Sequence, residues 1–328
     1  MNEDKINLDL NKLAPISVSV YDRISHFKKC VESLAANDLA KNSILYIFSD
    51  GAKPGDELSV NKVRKYAKSI KGFKKVKFFF QKKNNFYKNV INRTKIPFKE
   101  HNKVIRLEDD IVVSNSFLKY MNESLNKYEY HPNVFSVSGY LYPINFNFNK
   151  DYFFMNRYAG WGHGLWRKKW RIMVKNISSE NLVLSYINNW YDYKKLYNQI
   201  PNMINSLPML SEGKWKYSDY RYNLYFLKYN KFTLFPKKSL TKNIGHDGSG
   251  INCGKNNKYQ LQKIYHGKIN LNEEEIVKIN LKAEAMVARS YWISRRYGSF
   301  LYFFYIKLKC KIPKLIKFLR KLKKNSDI

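Results

Sequence analysis

The sequence predicts an α/β fold: a mostly parallel central sheet sandwiched between helices, with a basic helical tail behind it. Three observations carry this. Short β-branched runs alternate with stretches of helical period across residues 16–107. Turn-forming or charged residues follow each run, as at Ser49-Asp50-Gly51. The 328 residues are 44% hydrophobic and 16% aromatic, enough for a sizeable core. Alternating strand and helix units imply parallel strands with helices on both faces.

In order, Ile16–Tyr21 reads as a strand, and SHFKKCVESLAAN follows with Phe27, Val31 and Leu34 at helical spacing. Ile44–Phe48 is the second strand, and Val60–Ile70 resumes helical period. Lys75–Gln81 is the third strand, Phe86–Thr94 a helix, and Lys103–Leu107 a fourth strand running into Glu108-Asp109-Asp110. A helix is expected over Ser114–Lys127, capped by Ser114 or Asn115, and a fifth strand over Val134–Leu141. Residues 145–250 then turn aromatic-rich and irregular, which suits a binding region built on the sheet.

Formal net charge is +34, from 60 Lys and Arg against 26 Asp and Glu. Such a chain favours polyanions, phosphates or an acidic membrane surface. Nucleic-acid binding is the rival function class, but no C₂H₂, KH or RRM signature is present. Cys30, Cys253 and Cys310 are odd in number and widely spaced, against a disulfide framework or a zinc site. The N-terminal stretch lacks the pattern of a secretory leader, and no apolar run approaches the ~18 residues that span a bilayer. A cytoplasmic protein is expected.

In open parallel sheets, ligands bind beyond the carboxyl ends of the strands. The chain places Tyr21-Asp22-Arg23, Ser49-Asp50-Gly51 and Glu108-Asp109-Asp110 there. Adjacent strand residues point to opposite faces, so the three acids converge only where the strand ends and the chain turns. Hard cations such as Mg²⁺ or Mn²⁺ take carboxylate oxygens and share their shell with substrate phosphates. Alone, the triplet reads first as an acidic loop or a helix N-terminus favoured by the dipole. Its self-repulsion in so basic a chain is expected to be relieved when a cation and a diphosphate arrive together.

With those neighbours, residues 14–254 resemble GT-A-fold nucleotide-sugar glycosyltransferases, bacterial family-2-like and related to the N-acetylglucosaminyltransferase I group. The likeness rests on Tyr21-Asp22-Arg23, Asp50 in SDGAK, the EDD triplet, Gly160-Trp161-Gly162 within GWGHGLW, Asp219 within YSDYRY and the NIGHDGSG segment at 243–250. It implies a Rossmann-type αβα sandwich and an inverting transfer from a nucleoside diphosphate sugar, UDP-sugar favoured. The acceptor is a hydroxyl of a bacterial surface glycan or a lipid-linked acceptor. Mn²⁺ or Mg²⁺ is the implied cofactor. Asp110 is the implied metal ligand, and His246, the histidine nearest the family's missing closing one, is the candidate to complete the metal shell or touch the diphosphate. Tyr21, Arg23, Asp50, Glu108 and Asp109 are the implied donor contacts, and Asp219 the general base. Two departures stand out: Asn84-Asn85-Phe86 lacks the family's glycine, and Asn252 replaces its closing histidine.

The domains that follow are an extension at 1–13, a nucleotide-sugar-binding half at 14–112, an acceptor-binding half at 113–255 and a basic helical tail at 256–328. An aromatic setting is expected to desolvate Asp219 and raise its pKa. Trp161 between glycines suits the apolar face of a pyranose, or a core position on a turn. Arg23 and Arg221 have forks suited to phosphate or carboxylate, Arg221 equally to a surface salt bridge. The glycine-rich 243–250 loop offers backbone N–H groups to phosphate. A nucleotidyltransferase would need a Gly/Lys-rich signature near the first strand, where ISVSVYDRISHF has none. Beyond Pro313, Leu315, Leu319 and Leu322 share one helical face opposite lysines, as in helices that lie on anionic membranes. This predicts peripheral attachment at the inner membrane face.

Overall fold

The computed structural model describes residues 8–145, 147–214, 218–250, 254–272, 276–291 and 294–311. The chain divides into two compact units, Met1–Arg171 with Phe232–Asn280, and Ile172–Lys231 with Leu281–Ile328.

The first unit is an α/β sandwich. Its strands are β1 (Ile16–Val20), β2 (Ile44–Ser49), β3 (Lys75–Phe80), β4 (Lys103–Glu108), β5 (Ile111–Val113), β6 (Val134–Ser138), β7 (Tyr152–Met155), β8 (His163–Trp166), β9 (Phe232–Pro236) and β10 (Thr241–Asn243). Eight form one sheet in the order β3-β2-β1-β4-β8-β6-β9-β7, while β5 and β10 form a separate antiparallel pair. β1 lies parallel to β2 and β4, β2 to β3, and β6 to β9. Only β8 and β7 run against their neighbours, so six of the eight strands share one direction. The expected mostly parallel sheet is therefore present, and it runs on through residues on both sides of position 112.

Helices α1 (Ile24–Ala35), α2 (Glu57–Ser69), α3 (Phe86–Lys95), α4 (Pro97–Glu100) and α5 (Phe117–Lys127) connect and cover these strands. Helix α1 buries Phe27, Cys30, Val31 and Leu34, the stripe its periodicity marks. Edge strand β3 is half-exposed along its length and carries Lys75 and Lys77, charges that discourage pairing with another chain. Cys30 and Cys310 are free thiols, and Cys253 lies outside the described residues.

Four expectations about local structure are corrected. The fifth strand stops at Ser138, because Gly139 turns the chain: its N–H bonds Gly162 O and its carbonyl accepts from Leu240. Half of the glycine/tryptophan stretch is strand β8, inserted antiparallel between β4 and β6. Helix α5 begins at Phe117 after Ser116, which makes no side-chain cap, and Ser114 lies one turn before it. Region 145–250, read as irregular, supplies β7, β8 and β9 as well as much of the second unit. These strands are four or five residues long, too short for a period to register.

Helix α6 (Arg167–Ile177) leads the chain into the second unit, which is helical: α7 (Glu180–Asn188), α8 (Trp190–Gln199), α9 (Leu207–Ser211) and α10 (Asp219–Lys228). After α11 (Asn257–Gln260) in the first unit, the second adds α12 (Leu281–Ser290) and a helical segment at 300–311. Arg221 is not the surface residue the sequence allowed. It is 1% exposed, and its guanidinium donates to the carbonyls of Ile177 (2.9 Å), Ser179 (3.3 Å) and Leu210 (2.8 Å), joining the C-terminal end of α6 to α9. Arg221→Met is expected to leave these carbonyls without their donor and cost about 2–4 kcal/mol of stability, read from urea unfolding.

Candidate active site

The carboxyl ends of β2, β1 and β4 lie side by side, since Val20 is in register with Ser49 and Ser19 with Glu108. The chain leaves each strand directly into one of the predicted polar clusters. The geometry there is organised by arginine. Arg23 Nη2 donates to Asp109 Oδ1 at 2.6 Å and to Asp110 Oδ2 at 2.8 Å. Arg93, on α3, bonds Glu108 Oε1 at 3.1 Å and Ser19 Oγ at 2.7 Å. The triplet's repulsion is thus relieved by the chain's own guanidinium groups, not left for an arriving cation as the sequence suggested.

Asp109 and Asp110 are each 5% exposed, whereas Glu108 is half-exposed. Burial pushes Asp109 up to about 7, against the pull of Arg23 and with help from the neighbouring Asp110 charge. Asp110 is also raised, by burial first and then by Glu108. Asp110 Oδ1 is buried and without a hydrogen-bond partner among the described residues.

The glycine-rich segment is pinned onto this turn. Strand β10 pairs with β5 so that Asn243 faces Ile111, and Ile244 N–H donates to the Asp110 carbonyl at 2.8 Å. Gly245 then passes so close that a Cβ there would collide with Asp110 Oδ2 and lie 3.0 Å from Arg23 Nη1. Only glycine fits. The loop is a poorer phosphate cradle than its composition implied, because the N–H groups of Ile244, Gly245 and Ser249 are spent on Asp110, Asn243 and Asp247. Asp247 also accepts from His26 at 3.1 Å, and its bonds from Ser249 hold its carboxyl down at about 2.

Beside Gly245, His246 is buried, and neither ring nitrogen has a hydrogen-bond partner among the described residues. Its ring stacks on Tyr259 at 4.5 Å and meets Trp161 edge-on at 5.3 Å, while Trp161 also contacts Tyr140 at 4.7 Å. Trp161 is half-buried in this cluster, so it packs as a core residue and keeps a partly open surface. Its turn is fixed from both sides. Thr241 donates to the Trp161 carbonyl at 2.9 Å. Gly162 has φ 82°, which favours glycine. Buried His163 bonds the Gly160 carbonyl at 2.9 Å and Tyr158 at 2.5 Å, and burial, then Arg106, pushes its pKa well down, so it is neutral.

Asp50 is buried at the end of β2, where Oδ1 accepts from Gly51 and Asn85 N–H, both at 2.8 Å. Asn84 donates to the Gly51 carbonyl at 2.8 Å, so the Asn-Asn pair supports the Asp50 turn without the expected glycine. Arg64 clamps the same turn through Ser49 Oγ and the carbonyls of Asp50 and Gln81. Tyr21 does not reach the acids. Its hydroxyl donates to Asp56 at 2.6 Å and accepts from Lys53 N–H, and burial followed by the Asp56 bond pushes it up to about 12.

The first unit therefore gathers Arg23, Asp109, Asp110, Gly160, Trp161, Gly162 and His246 around one edge, with Asp50 two strands over. Asp219 belongs to the second unit, at the exposed first position of α10, without the burial expected to raise its pKa. Sequence reasoning missed Arg93, Arg64 and Tyr259, each of which reaches the site from a helix outside the motifs it supports. Only Gly245 carried a signal, inside the glycine-rich segment.

No protein family's sequence profile matches the chain, and no curated protein matches it. Among solved structures, it is similar to the mannosyltransferase PcManGT of Pyrobaculum calidifontis, solved with GDP-Man and Mn²⁺: 9% identity, 66% of this chain and 69% of that one, TM-score 0.37. An active-site variant of LgtC shares 14% identity over 65% of this chain and 70% of that one, TM-score 0.33. A cytidylyltransferase of Leptospira borgpetersenii shares 11% over 50% and 63%, TM-score 0.31.

Two outcomes are expected. Folded Asp109 keeps its proton to about pH 7 while an ordinary aspartate releases it near 3.8, so the folded chain binds the extra proton in between. Its contribution to stability is whole below 3.8 and is lost as pH rises towards 7. Urea unfolding across that range should show the decline, and Asp109→Asn should flatten it. Gly245→Ala should separate the loop from the acidic turn and cost about 1–3 kcal/mol, measured the same way.

Proposed function

We propose that the chain is a metal-dependent glycosyltransferase of the inverting kind, taking a sugar from a nucleoside diphosphate, UDP favoured, to a hydroxyl of a glycan or lipid-linked acceptor. The observation that carries this is the buried Asp109-Asp110 turn at the carboxyl end of β4. It is bound to Arg23 and closed by Gly245, and it leaves one Asp110 oxygen unsatisfied.

Among the described residues no three His, Cys, Asp or Glu side chains are grouped to hold a metal. One or two protein ligands suffice for Mg²⁺ or Mn²⁺ when substrate phosphates complete the shell. Asp110, with its unpartnered Oδ1, and His246, with two unpartnered ring nitrogens, have donors of the right kind. The ion would supply charge neutralisation at the departing diphosphate.

The chain's own residues would do the rest. Arg23 holds Asp109 and Asp110 in one orientation and has a second amino group, Nη1, without a partner among the described residues. That group suits a phosphate oxygen. Asp50, with Oδ1 fixed by two N–H groups, and Tyr21, fixed by Asp56, would orient the nucleoside. The half-exposed Glu108 would reach the ribose or sugar hydroxyls. Trp161 would offer its ring to the sugar, on a turn held by Thr241 and His163. Asp219 would take the proton of the acceptor hydroxyl as that oxygen attacks the anomeric carbon and the nucleoside diphosphate leaves from the opposite face. An exposed Asp219 would have to be enclosed by substrates to gain basicity.

The test is a panel of nucleotide sugars assayed for Mn²⁺-dependent binding and hydrolysis. Asp110→Ala should lose both. Asp219→Asn should keep donor binding while transfer falls by roughly 10²–10⁴-fold. Absence of any donor, full activity in Asp110→Ala, or polynucleotide affinity that survives moderate salt and ignores Mn²⁺ would overturn the reading.

A further inference from the structure

The helical segment 300–311 in the second unit has two apolar faces, and the fold uses only one. Phe303, Ile306 and Cys310 are buried, with Phe303 packed on Trp190 and Tyr193 of α8 at 5.6 and 5.1 Å. The other face carries Leu301, Phe304, Tyr305 and Leu308 at the i, i+3, i+4, i+7 spacing of a helical stripe. Leu301 is 82% exposed, and the other three are between 45% and 57% exposed. A contiguous apolar stripe left in water marks a surface that something covers.

The charge around the stripe says what. Lys307, Lys309 and Lys311 lie on the same helix, and Arg295 and Arg296 are exposed just before it. No Asp or Glu occurs anywhere between Glu284 and Asp327. A protein partner would be recognised with charges of both signs at its rim, whereas a surface uniformly negative and apolar beneath matches this set. Twelve residues of helix measure about 18 Å, too short to cross a bilayer but suited to lying along it, with lysines reaching up to the headgroups.

We propose that this face of residues 300–311 docks on an anionic lipid bilayer, Leu301, Phe304, Tyr305 and Leu308 entering the acyl boundary and the flanking lysines meeting lipid phosphates. The proposal concerns the second unit alone and does not depend on the enzymatic reading. It moves the membrane contact from the leucine stripe beyond Pro313, which lies outside the described residues, to a helix with one face already anchored in the fold.

Full-length protein should sediment with phosphatidylcholine vesicles containing phosphatidylglycerol and only weakly with phosphatidylcholine alone. The triple variant Leu301→Gln, Phe304→Gln, Leu308→Gln, with the tail beyond residue 311 intact, should bind the anionic vesicles at least about tenfold more weakly. Lys307→Gln, Lys309→Gln, Lys311→Gln together should weaken anionic-vesicle binding by on the order of 10²-fold and leave neutral vesicles unaffected. Circular dichroism and thermal unfolding check that both variants fold. Unchanged vesicle binding by the folded apolar variant would overturn the proposal, and so would a fall from dimer to monomer on light scattering with lipid binding intact, since the face would then belong to a second copy.

Discussion

Two carboxylates buried next to each other are held by a single guanidinium, and the architecture of the first unit follows from keeping them there. Asp109 and Asp110 are desolvated and adjacent, so each raises the cost of ionising the other, and removing Arg23 would strand buried charge at a cost of about 3–5 kcal/mol. Arg23 comes from the turn after β1, the acids from the turn after β4, and these strands are hydrogen-bonded neighbours. The pairing of β1 with β4 is therefore also what delivers the counter-charge.

The same constraint explains the approach of the distant 243–250 segment. It is stitched to the acidic turn by the β5–β10 pair and the Ile244 to Asp110 bond, and Gly245 lets backbone lie against the carboxylate where any side chain would push it off. A buried pair covered this closely is shut off from bulk water, and its electrostatics are strengthened accordingly. The result is a site with stored asymmetry: among the described residues, an arginine amino group, an aspartate oxygen and both nitrogens of His246 remain unsatisfied inside it. Buried polar atoms without partners are costly, which gives a phosphate-bearing ligand and a cation something to relieve.

The second unit answers a different physical problem. Its helices bury tyrosines and leucines, and Arg221 serves as an internal connector through three carbonyls. The segment 300–311 carries apolar side chains on two opposite faces with lysines between them, and two apolar faces demand two partners. α8 provides one.

The sequence by itself determined the first four strands, their helices and the clustering of Arg23, Asp50 and Glu108-Asp109-Asp110 at one sheet edge, because parallel strands buried between helices leave a strong local period. It also marked the glycine-rich 243–250 segment and Trp161 as belonging with them. Only the tertiary structure decided that Arg23 and Arg93 neutralise the acids, that Arg221 is buried, that the GWGHGLW stretch becomes a strand, and that Asp219 lies exposed in another unit. The ion pairs depend on residues 87 and 15 positions apart meeting in space, Arg23 with Asp110 and Arg93 with Glu108. Period and propensity act over a few residues, and counter-ions, backbone acceptors and burial are chosen by the fold.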